Sequence, residues 1–514
     1  MSANPVAIPS PAYTAMADRW KLIHDLRGGT AQMRKRSQEW LPREEAESEL
    51  SYRARVQRSF LYGALNDTIT KLKSKPFSRA VDLSAVEELD EMLRLIEDDA
   101  DNARCSVTQF ASAMFEDALV HGLTHVMVDF AATSGAQTLA DERFMALHPY
   151  FVHVRADQLI GWQYEVDPRN SKPILTQVRI RTSRTESDGE FGQREVAYIH
   201  VWSMTDVQVW RETEPEQFAL VEVKPHTFGK IPLYTVYFKQ TGFMTADPPL
   251  EDLAWLNLEH WQSSSEQRNV LHVARVPILY ERGAVTTAGP DGKPRNGAVV
   301  ISTSRARQTS RAPSEADLQW VEVGGKSIEA GANDLAKIEE RMQVLGMQPL
   351  VEASAKTATE IGAGEARTHS SIKAWISALN DGLYEAYYMA AQWIGQELPE
   401  EFRVAVWDKF ELEARSDSDM MHLLQMRASG DISQKRLLIE AKRRGKFGED
   451  FDVEEELEES NESEMPGAPT PEQLAQLAQV RAARTSQAEI EVEAEAEGEA
   501  AAQETREEAA EEAS

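Results

Sequence analysis

Residues 248–272 read PPLEDLAWLNLEHWQSSSEQRNVLH, and this stretch predicts a long helix with two different halves. The fixed φ of its two prolines favours the start of a helix. The first half carries three leucines on one face: Leu250, Leu253 and Leu256. The second half, residues 262–269, is polar on every side, which is typical of a helix that is hydrated or that bridges other parts of a structure. Pro277 is expected to end the helix.

An insert and two further helices follow. Apolar residues recur at steps of three and four, which predicts one helical stripe: Ile328, Ala332, Leu335, Ile338, Met342 and Leu345. Gly346 and Pro349 are expected to end this helix. The capping box Thr357-Ala-Thr-Glu360 predicts the start of a third helix, which Gly395 closes. A helix, an excursion and a returning helix together predict a stalk with a tip.

The segments PLEDLAWLNL (249–258) and SSSEQRNVLH (263–272) resemble the stem-helix signature of the portal proteins of tailed bacteriophages. The resemblance is to a subfamily found in phage and prophage genomes as an uncharacterised portal-like domain, and it runs from about Trp20 to about Asp452. Near the N-terminus, a tryptophan helix, a glycine break, a Leu-Pro-Arg element and a Tyr-x-x-Arg helix follow the order of that subfamily. Three arginines of the last helix are interpreted either as a solvated face or as a contact with a neighbouring subunit: Arg53, Arg55 and Arg58.

The resemblance implies an α+β subunit with a helical and β-rich wing, a two-helix stem, a small β-rich clip, a helical crown and a disordered acidic tail. The implied divisions are a flexible arm over 1–11, the wing over 12–247 (helices over 12–123, β-rich over 124–247), the stem helices over 248–275 and 328–346, the clip over 276–327, the tunnel loop over 347–358, a long helix with a wing strand over 359–413, the crown over 414–450 and the tail over 451–514.

The function that the resemblance implies is a homo-oligomeric, dodecameric ring at one vertex of a capsid, through which DNA is packaged and ejected. The implied partners are the large terminase subunit, bound transiently, head-completion or adaptor proteins, the major capsid protein, a scaffold protein, and double-stranded DNA that passes without sequence specificity. The implied location is the virion, with the host cytoplasm during assembly. Neither a membrane partner nor a cofactor is expected.

Two candidate sites follow from the resemblance. The tunnel loop would face the DNA with Gln348, Glu352 and Lys356, although a plain loop between two helices is the alternative. The insert carries seven basic and two acidic residues between Arg275 and Arg311, a local charge of +5. This tip is interpreted as a docking site for the terminase or an adaptor, and the alternative is a solvated loop. Its candidate residues are Arg282, Arg305, Arg307 and Arg311.

The net charge of −30 is unevenly distributed along the chain. From Glu449 onward, 22 acidic and 3 basic residues carry −19 of this charge, so the rest of the chain carries −11. Because DNA affinity depends largely on basic side chains that neutralise phosphates, this acidity argues against a surface that grips DNA. It is compatible with DNA that slides past a mildly repulsive wall.

The remaining sequence predicts helices on either side of a β-rich region. Residues 84–123 are predicted to be helical from the capping box Ser84-Ala-Val-Glu87, with a strand over 126–130 after Gly122. Strands are predicted over 148–154, 159–166, 174–181, 195–202, 207–211 and 218–223, over 276–280, 298–302 and 318–323 in the insert, and over 402–407. Ser187-Asp-Gly189 predicts a turn. Ser416 and Ser433 are expected to cap two short helices.

Catalytic motifs are sparse, so the chain is not expected to be an enzyme. The sequence lacks a phosphate-binding loop, a His-Glu-x-x-His motif and a nucleophile elbow. His121 and His125 have the spacing of metal ligands on one helix face, but Gly122 lies between them. A single cysteine, Cys105, excludes a disulfide within the chain. Two alternatives remain: another non-catalytic virion or scaffold component, and a metal hydrolase built on the two histidines.

Overall fold

The computed structural model describes residues 4–130, 148–226, 228–275, 278–282, 286–288, 294–296, 317–321, 325–346, 358–408, 417–429, 432–443, 453 and 456–457. Over these ranges the chain combines helices with antiparallel sheets, which confirms the predicted α+β class. It divides into two compact units, Met1–Phe410 and Glu411–Ser514. No helix in the described ranges is long and apolar enough to cross a membrane.

The first unit begins with a succession of helices. These are α1 (Pro11–Arg27), α2 (Gly29–Lys35), α3 (Ser37–Trp40), α4 (Glu49–Arg58), α5 (Ala64–Ser74), α6 (Glu91–Asp98) and α7 (Val107–His121). The Ser10 hydroxyl accepts a hydrogen bond from the Tyr13 N–H, and the Ser106 hydroxyl accepts one from the Gln109 N–H. Each bond satisfies a backbone donor that the first turn of a helix leaves unpaired.

The helical region predicted over residues 84–123 is confirmed in part, but its predicted start at Ser84 is wrong. Residues Asp82–Ser84 form strand β1, which pairs with β16 (Arg403–Ala405), so Ser84 does not cap a helix. The Asp90 carboxylate instead accepts the Met92 N–H and starts α6, and α7 is a separate helix. The long-range pairing of β1 with β16 overrides the local capping signal. Gly122 ends α7 with a φ of +88°, as predicted.

A three-stranded sheet with the order β3–β2–β9 follows α7: β2 (Leu123–Phe130), β3 (Pro149–Val154) and β9 (Leu233–Tyr237). The central strand β2 is antiparallel to both neighbours, and Met127 lies opposite Val152 on one side and Leu233 on the other. Residues Leu123 to Val128 are all buried, because helices cover a strand that already has a strand on each side.

The second sheet is a five-stranded meander whose strands pair in chain order: β4 (Leu159–Val166), β5 (Pro173–Asp188), β6 (Gly192–Ser203), β7 (Asp206–Glu214) and β8 (Gln217–Pro225). The strands predicted over residues 148–223 are confirmed, and β5 and β6 extend further than predicted. The predicted turn is also confirmed, since Asp188 pairs with Gly192 and Gly189 has a φ of +76°.

Residues 4–11 lie against this sheet, unlike the flexible arm predicted over 1–11. The Arg179 guanidinium donates to the carbonyls of Val6 and Ile8, at 3.0 and 2.7 Å. The Ser10 N–H donates to the carbonyl of Ile160 at 2.8 Å. Val6 and Ala7 also pack on an apolar cluster of the sheet: Ile160, Ile199, Val201 and Phe218. A guanidinium that binds several backbone carbonyls holds an otherwise irregular segment in place.

The segment after the sheets alternates helices and strands: α8 (Glu251–Ala274), β12 (Ile278–Arg282), β13 (Thr286–Ala288), β14 (Pro294–Asn296), β15 (Asp317–Val321), α9 (Gly325–Leu345) and α10 (Ala358–Trp393). Two short strands, β10 (Gln240–Gly242) and β11 (Thr245–Ala246), precede it. The three predicted helices are therefore confirmed. The strand predicted over 298–302 lies outside the described residues.

Helix α10 forms the centre of the first unit. Apolar side chains at helical spacing on this helix are buried: Ile372, Ile376, Leu379, Leu383 and Tyr387. Trp375 stacks on Phe238 with ring centroids 5.4 Å apart. The helix ends as predicted at Gly395, which has a φ of +72°, and the next N–H, from Gln396, donates to the carbonyl of Ala391. This is the hydrogen-bond pattern of a glycine-terminated helix.

The second unit is described only in its first part, as helices α11 (Asp417–Ala428) and α12 (Gln434–Arg443), which pack on each other. The Ser433 hydroxyl accepts the Arg436 N–H at 3.2 Å and caps α12, as predicted. Ser416 and the acidic tail over residues 458–514 lie outside the described residues.

Candidate functional site

Helices α8 and α9 form an antiparallel pair, called the helix pair below. His260 Nε2 lies 3.1 Å from Glu339 Oε1, and the Gln267 side chain donates to the carbonyl of Ile328 at 2.8 Å. Later residues of α8 thus meet earlier residues of α9, as in a hairpin. At the end nearer the sheets, Trp261, Ile338 and Met342 are buried.

Strands β12 and β15 continue the helix pair. They are antiparallel, with Ile278 opposite Val321 and Arg282 opposite Asp317. Strands β13 and β14 form a second antiparallel ladder between them in the sequence, with Thr286 opposite Asn296. The chain therefore leaves along α8, turns through two strand ladders and returns along α9.

Polar side chains along α8 bridge to other helices, and the two in the polar half, Gln262 and Asn269, do so as its all-round polarity predicts. The Asn257 carboxamide accepts the Leu65 N–H and donates to the carbonyl of Tyr62, at 3.2 and 2.9 Å. The Gln262 side chain donates to the carbonyl of Trp40 at 2.7 Å, and Arg58 donates to the Asn269 side chain at 3.0 Å. These hydrogen bonds fix α8 at several points along its length to the segment that contains α3, α4 and α5.

The first turn of α8 is held by charge. Arg19 of α1 pairs with Asp247 and Glu251, and its Nε lies 3.0 Å from Glu251 Oε1. Both carboxylates lie at the N-terminal end of α8, where the helix dipole favours negative charge. This end of the helix pair is therefore anchored to α1.

The stripe predicted on α9 is only partly buried. Ile338 and Met342 are buried, whereas Leu345 exposes 42% of its surface. Val344, which is not part of the stripe, exposes 65%. Trp255 on α8 exposes 53%. Large apolar side chains are thus exposed on both helices of the pair, at the end near the sheets.

The predicted tunnel-loop and clip residues lie mostly outside the described residues. Gln348, Glu352 and Lys356 belong to the segment between α9 and α10 that the structure does not describe. Three of the four clip arginines fall in the same category: Arg305, Arg307 and Arg311. Arg282 ends β12, opposite Asp317 in β15, and its backbone alone is described.

All three arginines on α4 have contacts within the chain. Arg55 is buried, and its Nη2 lies 2.8 Å from Glu47 Oε2 and 3.0 Å from the carbonyl of Pro42. Hydrogen bonding from Arg55 lowers the pKa of Glu47. Arg58 bonds to α8, as described above, and Arg53 pairs with Glu49 at the surface. Neither interpretation of this face, solvated or intermolecular, holds for Arg55.

A buried polar network, which the sequence does not reveal, surrounds Asp117 of α7. Its carboxylate lies 2.8 Å from His121 Nδ1, accepts the Thr124 hydroxyl at 2.7 Å and accepts the Ala156 N–H at 3.1 Å. His153 Nε2 approaches it to 3.5 Å. Burial opposes ionisation of Asp117, but the hydrogen bonds from His121 and His153 outweigh burial and hold its pKa well below the usual range.

The network extends to α1 through His121. His121 Nδ1 lies against the Asp117 carboxylate, and His121 Nε2 lies 2.7 Å from His24 Nε2. The Trp20 indole N–H donates to the carbonyl of His121 at 3.1 Å. The network therefore joins α1, α7 and the three-stranded sheet.

The structure does not bring His121 and His125 together as a metal-ligand pair. His125 lies on β2, is buried, and bonds to the Thr235 hydroxyl at 2.9 Å. Burial lowers the pKa of His125 to about 3. In the part of the chain that the structure describes, no group of three or more His, Cys, Asp or Glu side chains could hold a metal ion.

Comparisons with known proteins single out the same helical segment. Residues 249–394 match a family model described as "Domain of unknown function (DUF4055)". This match covers α8, the strand ladders, α9 and α10. No curated protein matches the chain.

The fold is similar to chains in particles of a gene transfer agent (GTA). One comes from the neck of an empty GTA particle computed with C6 symmetry, with a TM-score of 0.39 and 12% identity over 75% of this chain and 90% of that chain. Another, from the virion of a native GTA particle, has a TM-score of 0.38 and 13% identity over 74% and 89%. A third, from the neck of a native particle computed with C12 symmetry, has a TM-score of 0.36 and 12% identity over 74% and 89%.

Proposed function

We propose that this chain is a structural component of the head–tail region of a virion, and specifically the portal subunit. The observation that carries the proposal is the order of α8, the two strand ladders, α9 and the long helix α10. A portal subunit has a stem helix, a clip, a returning stem helix and a long helix in that order. The resemblance of residues 249–258 and 263–272 to the portal stem signature supports the same assignment.

The proposed mechanism is passive. Identical subunits form a ring through a contact between two different surface patches. The ring closes when the rotation that relates neighbouring subunits is a whole fraction of a full turn. The helix pairs line a channel, and a motor on another chain drives DNA through it. The proposed subunit contributes no catalytic group or cofactor. With −11 over the first 448 residues, its body does not hold a polyanion tightly.

The proposal assigns the two candidate sites to the two ends of the helix pair. The strand ladders form the docking tip for the large terminase subunit and later for adaptor proteins. The segment between α9 and α10, with Gln348, Glu352 and Lys356, faces the DNA. The major capsid protein, with a scaffold protein, surrounds the ring in the virion.

Native mass spectrometry of the full chain tests the ring. The 57.6-kDa subunit is expected to form one closed oligomer of about a dozen copies, alone or when expressed with the capsid and scaffold genes of the same genome. A monomer or dimer under both conditions would contradict the proposal.

Charge reversal tests the docking tip. The variant has Glu in place of Arg282, Arg305, Arg307 and Arg311, and it is expected to retain the oligomer but lose capture of a terminase large subunit from the same genome. Arg94→Glu and Arg169→Glu, on other surfaces, serve as charge controls. Undiminished capture by the fourfold variant would show that these arginines are not the contact.

A further inference from the structure

The exposed side chains of the helix pair lie on opposite sides of it. On α8, His260 faces α9, and Trp255 and Glu259 lie about 140° and 100° around the helix from it, at 100° per residue. On α9, Glu339 faces α8, whereas Lys337, Arg341 and Val344 share a stripe on the other side at i, i+4 and i+7 spacing. Trp255 and Glu259 are called the α8 face, which borders Trp40, whose ring contacts that of Trp255 edge to face with centroids 6.3 Å apart. The stripe on α9 is called the α9 face.

The two faces present apolar side chains at the same level. His260 lies beside Glu339, and the helices are antiparallel. Trp255 is five residues before His260, and Val344 is five residues after Glu339, so both lie the same distance towards the sheets. Trp255 exposes 53% of its surface and Val344 exposes 65%. A rotation about an axis parallel to the helix pair does not change the height of a residue along that axis. Such a rotation would therefore place Trp255 of one subunit against Val344 of the next.

The two faces also match in charge at the next turn. Glu259 lies at the level of Glu340, between Lys337 and Arg341, and all four side chains are exposed. Glu340 lies on the α9 face and offsets part of the positive charge of Lys337 and Arg341. The α9 face therefore keeps a net positive charge opposite the Glu259 carboxylate. Within the described part of the chain, Glu259, Lys337 and Arg341 make no ion pair. Their charges are therefore available to another molecule.

We propose that the α8 face of one subunit packs against the α9 face of the next, with Trp255 on Val344 and Glu259 between Lys337 and Arg341. The partner is a second copy of this chain, and the contact is heterologous, because the two faces are different. This contact rests on the proposed function, since both require a ring. The contact specifies in addition which surfaces of neighbouring subunits meet and in what register.

The apolar contact and the ion pairs have different roles in this interface. Covering Trp255 and Val344 removes large apolar surface from water, which favours association. The single acid between two bases fixes the register, because a shift of one helical turn would take Glu259 away from either Lys337 or Arg341. The contact excludes a two-fold arrangement, in which each face would meet its own copy.

Cross-linking tests the contact directly. The variants carry Cys105→Ala, with Trp255→Cys, Val344→Cys or both, and are treated with a short bismaleimide after assembly. The double variant is expected to give a ladder of covalent multimers up to the whole ring, whereas each single variant stays monomeric. Rings of the double variant without a ladder would overturn the contact. Dimers from either single variant would also overturn it, since they indicate a two-fold arrangement.

A charge exchange gives a second test that leaves Trp255 in place. Glu259→Lys is expected to raise the subunit concentration needed for half-assembly about tenfold or more, because three cations then meet. Lys337→Glu with Arg341→Glu is expected to do the same, and the triple variant is expected to restore assembly. Glu165→Lys, on the exposed end of β4, is the matched control. Failure of the triple variant to recover would overturn the register.

The two proposals fail in different ways. A wild-type protein that forms rings, while cross-linking and charge exchange fail, keeps the proposed function and overturns this contact. A wild-type protein that forms no ring under any condition overturns both.

Discussion

At the residue scale, the ion pair of Glu47 and Arg55 is expected to contribute more to the free energy of unfolding than ion pairs at the surface do. Both side chains are nearly buried, with 10% and 6% exposure. Glu47→Ala leaves the Arg55 guanidinium buried without its partner, so the free energy of unfolding is expected to fall by about 3 kcal/mol. Chemical denaturation measures this change.

Glu49→Ala is the matched control, because Glu49 pairs with Arg53 at an exposed position of the same helix. Surface pairs contribute about 0–1 kcal/mol, so the control is expected to change little. Equal losses in the two variants would contradict the structural role of Arg55.

The buried His125 is expected to make the stability of the protein depend on pH. Its folded pKa is lowered to about 3 by burial, whereas a histidine in the unfolded chain takes up a proton near 6.5. Between these values the unfolded chain binds a proton that the folded chain does not. Stability is therefore present above about pH 6.5 and declines as the pH falls towards about 3.

Denaturation midpoints at several pH values between 7 and 4 measure this decline. His125→Asn removes the titrating group and is expected to flatten the curve, while His272→Asn, an exposed position on α8, is expected to leave it unchanged. A His125→Asn curve as steep as the wild type would contradict the assignment.

The buried network around Asp117 shows which residues sequence reasoning misses. The spacing of His121 and His125 suggests a pair, but the actual partners of His121 are Asp117 on its own helix and His24 on α1. His153 joins from β3. A separation of one helical turn, from Asp117 to His121, is readable from the sequence. The meeting of three elements depends on tertiary packing and is not.

At the element scale, two helical glycines predict opposite outcomes. A Cβ on Gly382 of α10 would lie 2.2 Å from Val236 Cγ2 on β9, a stiff side chain in the core. A Cβ on Gly331 of α9 would meet the end of the flexible Gln267 side chain at a similar distance. Gly382→Ala is therefore expected to lower the free energy of unfolding by about 1–3 kcal/mol despite better helix propensity.

Gly331→Ala is the matched control and is expected to be near neutral. The gain of about 1 kcal/mol in helix propensity offsets the displacement of Gln267 and the loss of its hydrogen bond to Ile328. Thermal unfolding of both variants decides the point. A stabilised Gly382→Ala would contradict the close packing of α10 on β9.

Helices and strands were predictable from the sequence where a single local signal determined them and no distant contact competed with it. Alternating side chains identified the strands of the five-stranded meander, and glycine with positive φ ended α7 and α10 as expected. The error at Ser84 arose because its capping signal competed with a strand pairing to Arg403, far away in the sequence. The docking of residues 4–11 was also missed, because it depends on Arg179 of a distant strand.

At the scale of the whole molecule, the helix pair is the element that connects the fold to the proposed function. Its sequence revealed the helices, their antiparallel order and the polar bridging half. Trp255 and Val344 lie outside the apolar stripes that the sequence predicts, so spacing alone did not indicate that they form exposed apolar surface near the sheets. Only the structure shows which large apolar side chains of the helix pair the described part of the chain leaves exposed.

Single-particle electron cryomicroscopy of the assembled full-length protein tests the central claim most directly. The account predicts a ring of identical subunits with an open axial channel, in which α8 and α9 of each subunit surround the channel and β12 and β15 lie at one end of it. A ring with a closed centre, or one in which the five-stranded sheet lines the opening and the helix pair lies at the periphery, would contradict it.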